Sequence, residues 1–226
     1  MTGSGSPGIG RPRVVALGGG RGLTATVRAV RAYAGHTTAV VATADDSGST
    51  GRLRSSMAIP APGDLRRCLV ALAGKEDQPL GRAFEHRFVG TDIEGHALGN
   101  LLLAGLTAVT GHFVAAVEEV GWLLGLDPAT ARILPATVDP VDLRAELVDG
   151  AEVVGQYAVS KTEGIERVAL CPADVRAPDG VAGAILAADQ IVLGPGSLYT
   201  SVLAAALVPA IHAALTKTAA QRVYVC

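Results

Sequence analysis

The stretch VVALGGGRGL, residues 14–23, decides the predicted fold of this chain. Four apolar residues stopped by glycines are typical of a short buried strand, and residues 22–33 continue with the apolar spacing of a helix. Residues 38–44 are β-branched and apolar, which predicts a second buried strand. Together these segments predict a strand–loop–helix–strand unit, the building block of a parallel sheet.

The composition agrees with this fold class. Of 226 residues, 49% are hydrophobic, 18% charged and 4% aromatic, which predicts an aliphatic interior of the kind found in sheets covered by helices on both faces. The net charge of −2 argues against a nucleic-acid partner. Three scattered cysteines without a CxxC pair predict neither a zinc site nor a disulfide framework, and favour the cytoplasm. The apolar stretches are too short and interrupted to predict membrane insertion.

The remaining segments predict an α/β fold: a Rossmann-like, mostly parallel sheet with helices on both faces and an inserted β-hairpin. The hairpin is predicted for residues 141–148 and 152–159, around Asp149-Gly150. Residues 45–63 are predicted to be an irregular loop. Further helices are predicted at 64–73, 78–88, 95–110, 113–124, 179–188 and 198–207, and further strands at 167–171, 190–193 and 222–226. The predicted domain organisation is a disordered Gly/Ser/Pro-rich leader, 1–13, followed by a single domain, 14–226.

The glycine loop follows a strand and opens a helix, which is the context of a phosphate loop. Glycines let the backbone approach a ligand closely, and the free N–H groups of a helix start attract anions. The pattern is neither GxGxxG nor Walker A, so it favours a nucleotide or phosphate without specifying a cofactor. A tight turn without a ligand is the alternative. The candidate contacts are Gly18, Gly19, Gly20, Arg21 and Gly22.

A second candidate region begins with Asp45 and Asp46, which come after the second predicted strand. In open parallel sheets, ligands bind beyond the carboxyl ends of the strands. Adjacent carboxylates there could hold a divalent cation, hydrogen-bond the hydroxyls of a ligand, or serve as a base. Capping of a turn or helix is the structural alternative.

Further candidates lie at the starts of predicted helices. Asp64 is expected either to cap a helix or to face the ligand, and Arg66 could meet a phosphate. His96 and Asn100 are four residues apart and are predicted to share one helical face. A second glycine-rich strand-to-helix loop contains Gly194, Gly196 and Ser197, and Ser197 is placed to cap the helix that follows.

These motifs together resemble the CofD-like superfamily, and most closely its YvcK branch, the gluconeogenesis factors. The stretches that carry the resemblance appear in family order. They are VVALGGGRGL (14–23), TADDSGSTGRLR (43–54), IPAPGDLRRCLVAL (59–72), GHALGNLLLAGLTAVTG (95–111), VDGAEVVGQ (148–156), IVLGPGSLYTS (191–201) and RVYVC (222–226). Arg21 departs from the family pattern, which often has Thr or another small or polar residue there. The family also continues past the final strand, so its C-terminal portion is expected to be missing here.

The resemblance implies a nucleotide-derived ligand over the strand ends, with the candidate residues above lining its site. The YvcK branch implies a protein without firm catalytic activity that binds a UDP-sugar such as UDP-N-acetylglucosamine. Its roles would be in gluconeogenic carbon use, cell-wall precursor supply and cell shape. The CofD branch implies instead a 2-phospho-L-lactate transferase acting on a deazaflavin precursor with Mg²⁺, which Asp45 and Asp46 would hold. A scaffold with a vestigial site is the third alternative, and a homo-oligomer is compatible with all three.

Overall fold

A five-stranded parallel sheet forms the centre of the computed structural model, which describes residues 10–226. Its strands are β1 (Arg13–Gly18), β2 (His36–Val41), β3 (Ala131–Pro135), β7 (Gln190–Leu193) and β8 (Gln221–Tyr224). The strand order is β3-β2-β1-β7-β8, and every neighbouring pair is parallel. β1, the strand of the opening motif, is therefore the central one, with β2 on one side and β7 on the other.

Helices cover both faces of this sheet, as predicted. Alternate residues of β1 separate the two cores: Val15 and Leu17 belong to one apolar cluster, and Ala16 belongs to the other. The Ala16 face packs under α1 (Gly20–Arg31), α3 (Pro62–Ala73), α4 (Pro79–Glu85), α5 (Leu98–Thr110) and α6 (Phe113–Leu123). The opposite face packs under α8 (Val181–Leu186), α9 (Ala204–Ala206), which continues a π-helical turn at Leu198–Leu203, and α10 (Pro209–Lys217).

The predicted hairpin is confirmed, but it belongs to a separate three-stranded antiparallel sheet. Its strands are β4 (Asp142–Leu147), β5 (Glu152–Val154) and β6 (Ile165–Cys171), in the order β5-β4-β6. The strand predicted at 167–171 is thus a partner of the hairpin, not a member of the parallel sheet. The prediction of strand through residue 159 is also wrong, because the backbone turns at Gly155 (φ +104°) into the short helix α7 (Gln156–Val159).

The predicted loop at 45–63 is wrong as well, since it contains helix α2 (Gly48–Met57). The sequence of α2 is rich in Gly and Ser, which are weak helix formers, so its propensity gives little signal. Burial of Ser49, Thr50 and Leu53 against the rest of the protein stabilises it instead. The strand β3 and the helix α10 were also not predicted from the sequence.

Two further expectations concern the chain start and the membrane. Residues 1–9 of the predicted leader lie outside the described residues, and its last residue, Arg13, is already part of β1. Within residues 10–226, no single helix is long and apolar enough to cross a bilayer. The segments Leu198–Ala206 and Pro209–Lys217 reach that length and composition only as a pair, bent by 84°.

Candidate functional site

Three loops meet at the carboxyl ends of β1, β2 and β7. The backbone N–H of Ala42, after β2, donates a 2.7 Å hydrogen bond to the carbonyl of Gly18 at the end of β1. On the other side, the N–H of Gly194 donates to the carbonyl of Leu17 at 3.1 Å. The strand order reverses here, because the chain passes from β1 to β2 on one side while β7 flanks β1 on the other. Such a switch point leaves a crevice where open α/β sheets bind ligands.

The two glycine-rich loops are in direct contact across this crevice. A Cβ atom added at Gly22 would lie 1.8 Å from the carbonyl oxygen of Pro195, so only glycine fits there. One turn beyond Gly22 on α1, the Thr26 hydroxyl donates a 2.5 Å hydrogen bond to the carbonyl of Gly194. Gly20 has a φ of +65°, a left-handed conformation that favours glycine. The loops predicted to form two walls of one site therefore lie side by side.

Asp64 occupies the start of α1. The N–H of Gly20 donates a 2.5 Å hydrogen bond to Asp64 Oδ2, and Arg67 forms an ion pair with Asp64 Oδ1. The predicted N-cap role of Asp64 is wrong, because Ala61 is the N-cap of α3 and Asp64 is its third residue. The Asp64 carboxylate thus occupies part of the helix start at which α1 would otherwise attract an external anion. Burial lowers the pKa of Arg67, but the Asp64 charge and hydrogen bond outweigh it, so the net shift is upward.

The carboxylates of Asp45 and Asp46 bind different partners. Asp45 Oδ1 accepts hydrogen bonds from the backbone N–H (3.1 Å) and hydroxyl (2.8 Å) of Ser47. Asp46 Oδ1 accepts a 2.9 Å hydrogen bond from the N–H of Tyr157 at the start of α7. Asp46 Oδ2 lies 2.5 Å from the point where a Cβ of Gly155 would be. Capping of a turn or helix start, the structural alternative, therefore accounts for the hydrogen bonds of one oxygen in each carboxylate.

The residues of this region do not form a metal cage by themselves. Within the described part of the chain, no group of three or more His, Cys, Asp or Glu side chains is arranged to hold a metal ion. Mg²⁺ in nucleotide sites commonly takes one or two carboxylates and completes its coordination with water and phosphate oxygens. The pair Asp45 and Asp46 fits Mg²⁺ only in that form, with a bound phosphate supplying further ligands.

A chain of buried polar side chains runs beneath the crevice. Arg66 is 1% exposed, and its Nε and Nη2 each donate a 3.0 Å hydrogen bond to the carboxylate of Glu85. Its Nη1 donates to Asn100 Oδ1 at 2.8 Å. Burial lowers the pKa of Arg66, and the hydrogen bond and charge of Glu85 partly offset this. The expectation that Arg66 meets a phosphate is therefore wrong, because its donors are already bound inside the protein.

His96 and Asn100 meet at a residue that the sequence did not single out, Ser49. Asn100 Nδ2 donates to the Ser49 hydroxyl at 3.1 Å, and that hydroxyl lies 3.1 Å from His96 Nδ1. The predicted shared helical face is wrong, because α5 begins at Leu98 and His96 lies in the preceding loop. Burial, followed by the charges of Arg52 and Arg87, lowers the pKa of His96. No local pattern marks Ser49, since its partners come from distant segments.

Two further side chains hold the loops in place. The predicted cap at Ser197 is confirmed, because its hydroxyl accepts a 3.3 Å hydrogen bond from the N–H of Thr200. Arg54 of α2 donates through Nη1 to the carbonyls of Ala44 and Asp45, each at 3.3 Å. Its Nη2 donates to the carbonyl of Val141 at 2.7 Å and to Asp142 Oδ1 at 2.9 Å. This guanidinium therefore joins the loop after β2 to the start of β4.

The fold and crevice define a class, the doubly wound α/β proteins with a cleft at the switch point of the sheet. Comparison with known families gives the particular one: the chain belongs to the CofD family, since the model described as 2-phospho-L-lactate transferase CofD matches residues 14–226. The resemblance seen in the sequence motifs is thereby confirmed.

Curated relatives carry the name gluconeogenesis factor. The one from Halalkalibacterium halodurans is 43% identical over 219 residues, covering 96% of this chain and 66% of the relative. The one from Bacillus subtilis is 42% identical over 219 residues, covering 96% of this chain and 68% of the relative. The chain thus spans about two thirds of the length of these relatives.

Solved structures agree with the fold. A crystal structure of a UPF0052 family member from Bacillus halodurans is 42% identical, with a TM-score of 0.90 over 96% of this chain and 69% of that one. A second crystal structure from the same organism is 43% identical, with a TM-score of 0.89 and the same coverage.

Proposed function

We propose that this chain binds a nucleotide sugar of the UDP-N-acetylglucosamine type and acts as a regulatory protein, not as an enzyme. Contact between the two glycine loops at the switch point carries the proposal. Gly22 and Pro195 approach so closely that their loops form one continuous surface around the start of α1. The backbone N–H groups at this helix start that Asp64 does not bind suit the diphosphate of such a ligand.

The polar residues around this surface suit the rest of the ligand. Gly18 to Gly22 and the loop of Gly194, Gly196 and Ser197 would contact the phosphates. Asp45 and Asp46, which border the loop after β2, would accept hydrogen bonds from sugar hydroxyls. Asp64 and Asn100 are buried and hold the surrounding elements together, through Gly20 and Arg67 and through Arg66 and Ser49, while the partly exposed His96 would complete the lining.

The names of its relatives support the regulatory role, since they are those of a factor and not of an enzyme. One oxygen of Asp45 and one of Asp46 accept hydrogen bonds within the protein, which holds the two carboxylates in place as acceptors for a ligand. In keeping with the names of its relatives, we propose that ligand binding links cytoplasmic nucleotide-sugar supply to gluconeogenic carbon use, cell-wall precursor supply and cell shape.

Calorimetric titration with UDP-N-acetylglucosamine tests this proposal, and we expect saturable binding. Asp45→Asn should weaken binding, because it removes a negative acceptor at the sugar end. Asp149→Asn is a matched control: Asp149 Oδ1 accepts the same kind of turn hydrogen bond, from the N–H of Ala151 at 3.0 Å, in the distant hairpin. Absence of saturable heat with the wild-type protein would refute the proposal.

The second candidate is the transferase named by the family model, which matches nearly the whole chain. It predicts turnover when the protein is supplied with a guanosine-diphosphate donor of 2-phospholactate, a deazaflavin precursor and Mg²⁺. Two tyrosines lie within its motifs: Tyr199 is half-buried, with its hydroxyl donating to the carbonyl of Ile165 at 3.4 Å, and Tyr224 is exposed at the end of β8. A pocket for a deazaflavin precursor is expected to be aromatic, so the small number of aromatic side chains favours the regulatory function. Product formation that depends on Mg²⁺ would instead support the enzymatic function.

A further inference from the structure

A polar groove runs along α1 away from the crevice. It has a volume of about 330 Å³ and begins at Arg21, in the first turn of the helix. Its α1 residues are spaced by three and four positions, so they lie on one helical face and extend over roughly 10 Å. Its lining consists of Arg21, Thr24, Arg28, Arg67, Val70, Glu76 and Glu85.

The groove carries a surplus of donors for an anion. Its two carboxylates are already engaged, since Glu76 pairs with Arg28 and Glu85 pairs with the buried Arg66. Arg21 is exposed and takes part in none of the ion pairs formed between described residues. Arg67 binds Asp64 through Nη2, and its side chain, which is 29% exposed, lines the groove together with Arg21.

We propose that this groove is an anion subsite that takes a phosphate group between Arg21 and Arg67. Guanidinium groups match the geometry of phosphate oxygens and bind them through paired, charge-assisted hydrogen bonds. The phosphate belongs either to a free phosphorylated compound or to the nucleotide ligand in the crevice. Only the second source rests on the proposed function. The site adjoins the glycine loop, to which Arg21 also belongs, and differs from it because its donors are side chains on the outer face of α1 and on α3 and not backbone N–H groups.

Titration with pyrophosphate and, separately, with UDP-N-acetylglucosamine tests the subsite. Arg21→Thr is the main variant, because Arg21 is exposed and its removal leaves the packing intact. We expect it to weaken pyrophosphate binding about tenfold, the usual effect of losing one charge-assisted contact. Arg67→Gln should weaken it at least as much, provided that its circular dichroism spectrum shows a folded protein. Arg144→Thr, on β4, removes the same charge from a distant site and serves as the matched control.

The outcomes separate the two sources. If Arg21→Thr weakens the binding of pyrophosphate but not that of UDP-N-acetylglucosamine, the groove binds a free phosphorylated compound. If the variant weakens the binding of both probes, the groove binds the phosphate of the nucleotide. Pyrophosphate binding without any UDP-N-acetylglucosamine binding keeps the subsite and refutes the proposed function. The subsite is overturned if the wild-type protein does not bind pyrophosphate, if Arg21→Thr binds it as tightly as wild type, or if Arg144→Thr loses as much affinity.

Discussion

Replacement of Asn100 by Ala should destabilise the protein far more than its size suggests. Asn100 is 1% exposed and joins two buried groups, Arg66 Nη1 through Oδ1 and the Ser49 hydroxyl through Nδ2. The substitution leaves a buried guanidinium donor without its acceptor and a buried hydroxyl without its donor. Losing a hydrogen bond to a charged group costs about 2 kcal/mol, and losing a neutral one costs about 1 kcal/mol. We therefore expect the free energy of unfolding to fall by about 3 kcal/mol.

Urea denaturation followed by circular dichroism measures this change, and thermal unfolding gives an independent value. For a chain of this size, about 3 kcal/mol corresponds to a fall in Tm of roughly 6–12 °C. Thr107→Ala in the same helix is the control, because the Thr107 hydroxyl donates only to the carbonyl of Leu103 within α5. That variant should change the free energy of unfolding by less than about 1 kcal/mol.

Asn100→Asp separates the two hydrogen bonds. Aspartate keeps an acceptor for Arg66 and loses only the donor to Ser49, so it should be less destabilising than alanine. If Asn100→Ala unfolds at the same urea midpoint as wild type, the buried polar chain does not stabilise the fold in the way argued above.

Three other predictions concern single residues. Gly22→Ala should lower the free energy of unfolding by at least about 2 kcal/mol and weaken ligand binding, because the added Cβ would lie 1.8 Å from a carbonyl oxygen of the second glycine loop. Burial raises the pKa of the Cys68 thiol to about 12, so iodoacetamide at about pH 8 should alkylate the exposed Cys226 but not Cys68 in the folded protein. Because the pKa of His96 is lowered in the folded protein, the unfolded chain takes up the imidazole proton first as the pH falls. Stability should therefore decrease as the pH falls through the ordinary His pKa of about 6.5, and decrease less in His96→Gln.

Each of these has its own control. Gly105→Ala places a Cβ in open space on α5 and should leave stability unchanged or slightly raised. Mass spectrometry after unfolding in the same reagent should show Cys68 alkylated, and alkylation in the native protein would contradict its burial. For His96, an identical pH dependence of unfolding in wild type and His96→Gln would show that this imidazole does not contribute.

The central sheet and its glycine loops could be predicted from sequence because their signals are local. β1 is a short apolar run bounded by glycines, and Asp149-Gly150 marks the hairpin within a few residues. The strand β3, Ala131–Pro135, has no such mark: it contains an arginine and ends in proline, and only its place beside β2 makes it a strand. Likewise β6 looks like any other apolar run, and its sequence does not say which sheet it joins.

The site was predicted less completely, because its contacts are between distant segments. His96 and Asn100 were paired for their spacing on a helix, yet they meet through Ser49, about fifty positions earlier in the chain. Asp64 was predicted either to cap its own helix or to face the ligand, whereas its carboxylate binds the start of α1. Charge and residue type indicate that such groups need partners, and only the tertiary structure shows which partners they have.

Arg54 has a consequence for how the two sheets can move. Its single guanidinium binds backbone carbonyls on both sides of the boundary between the parallel sheet and the antiparallel one. A displacement of the loop after β2 would therefore either break these hydrogen bonds or carry the start of β4 along with it. Because Asp45 lies in that loop, the smaller sheet stays in a fixed position beside the crevice for as long as the guanidinium bonds both segments.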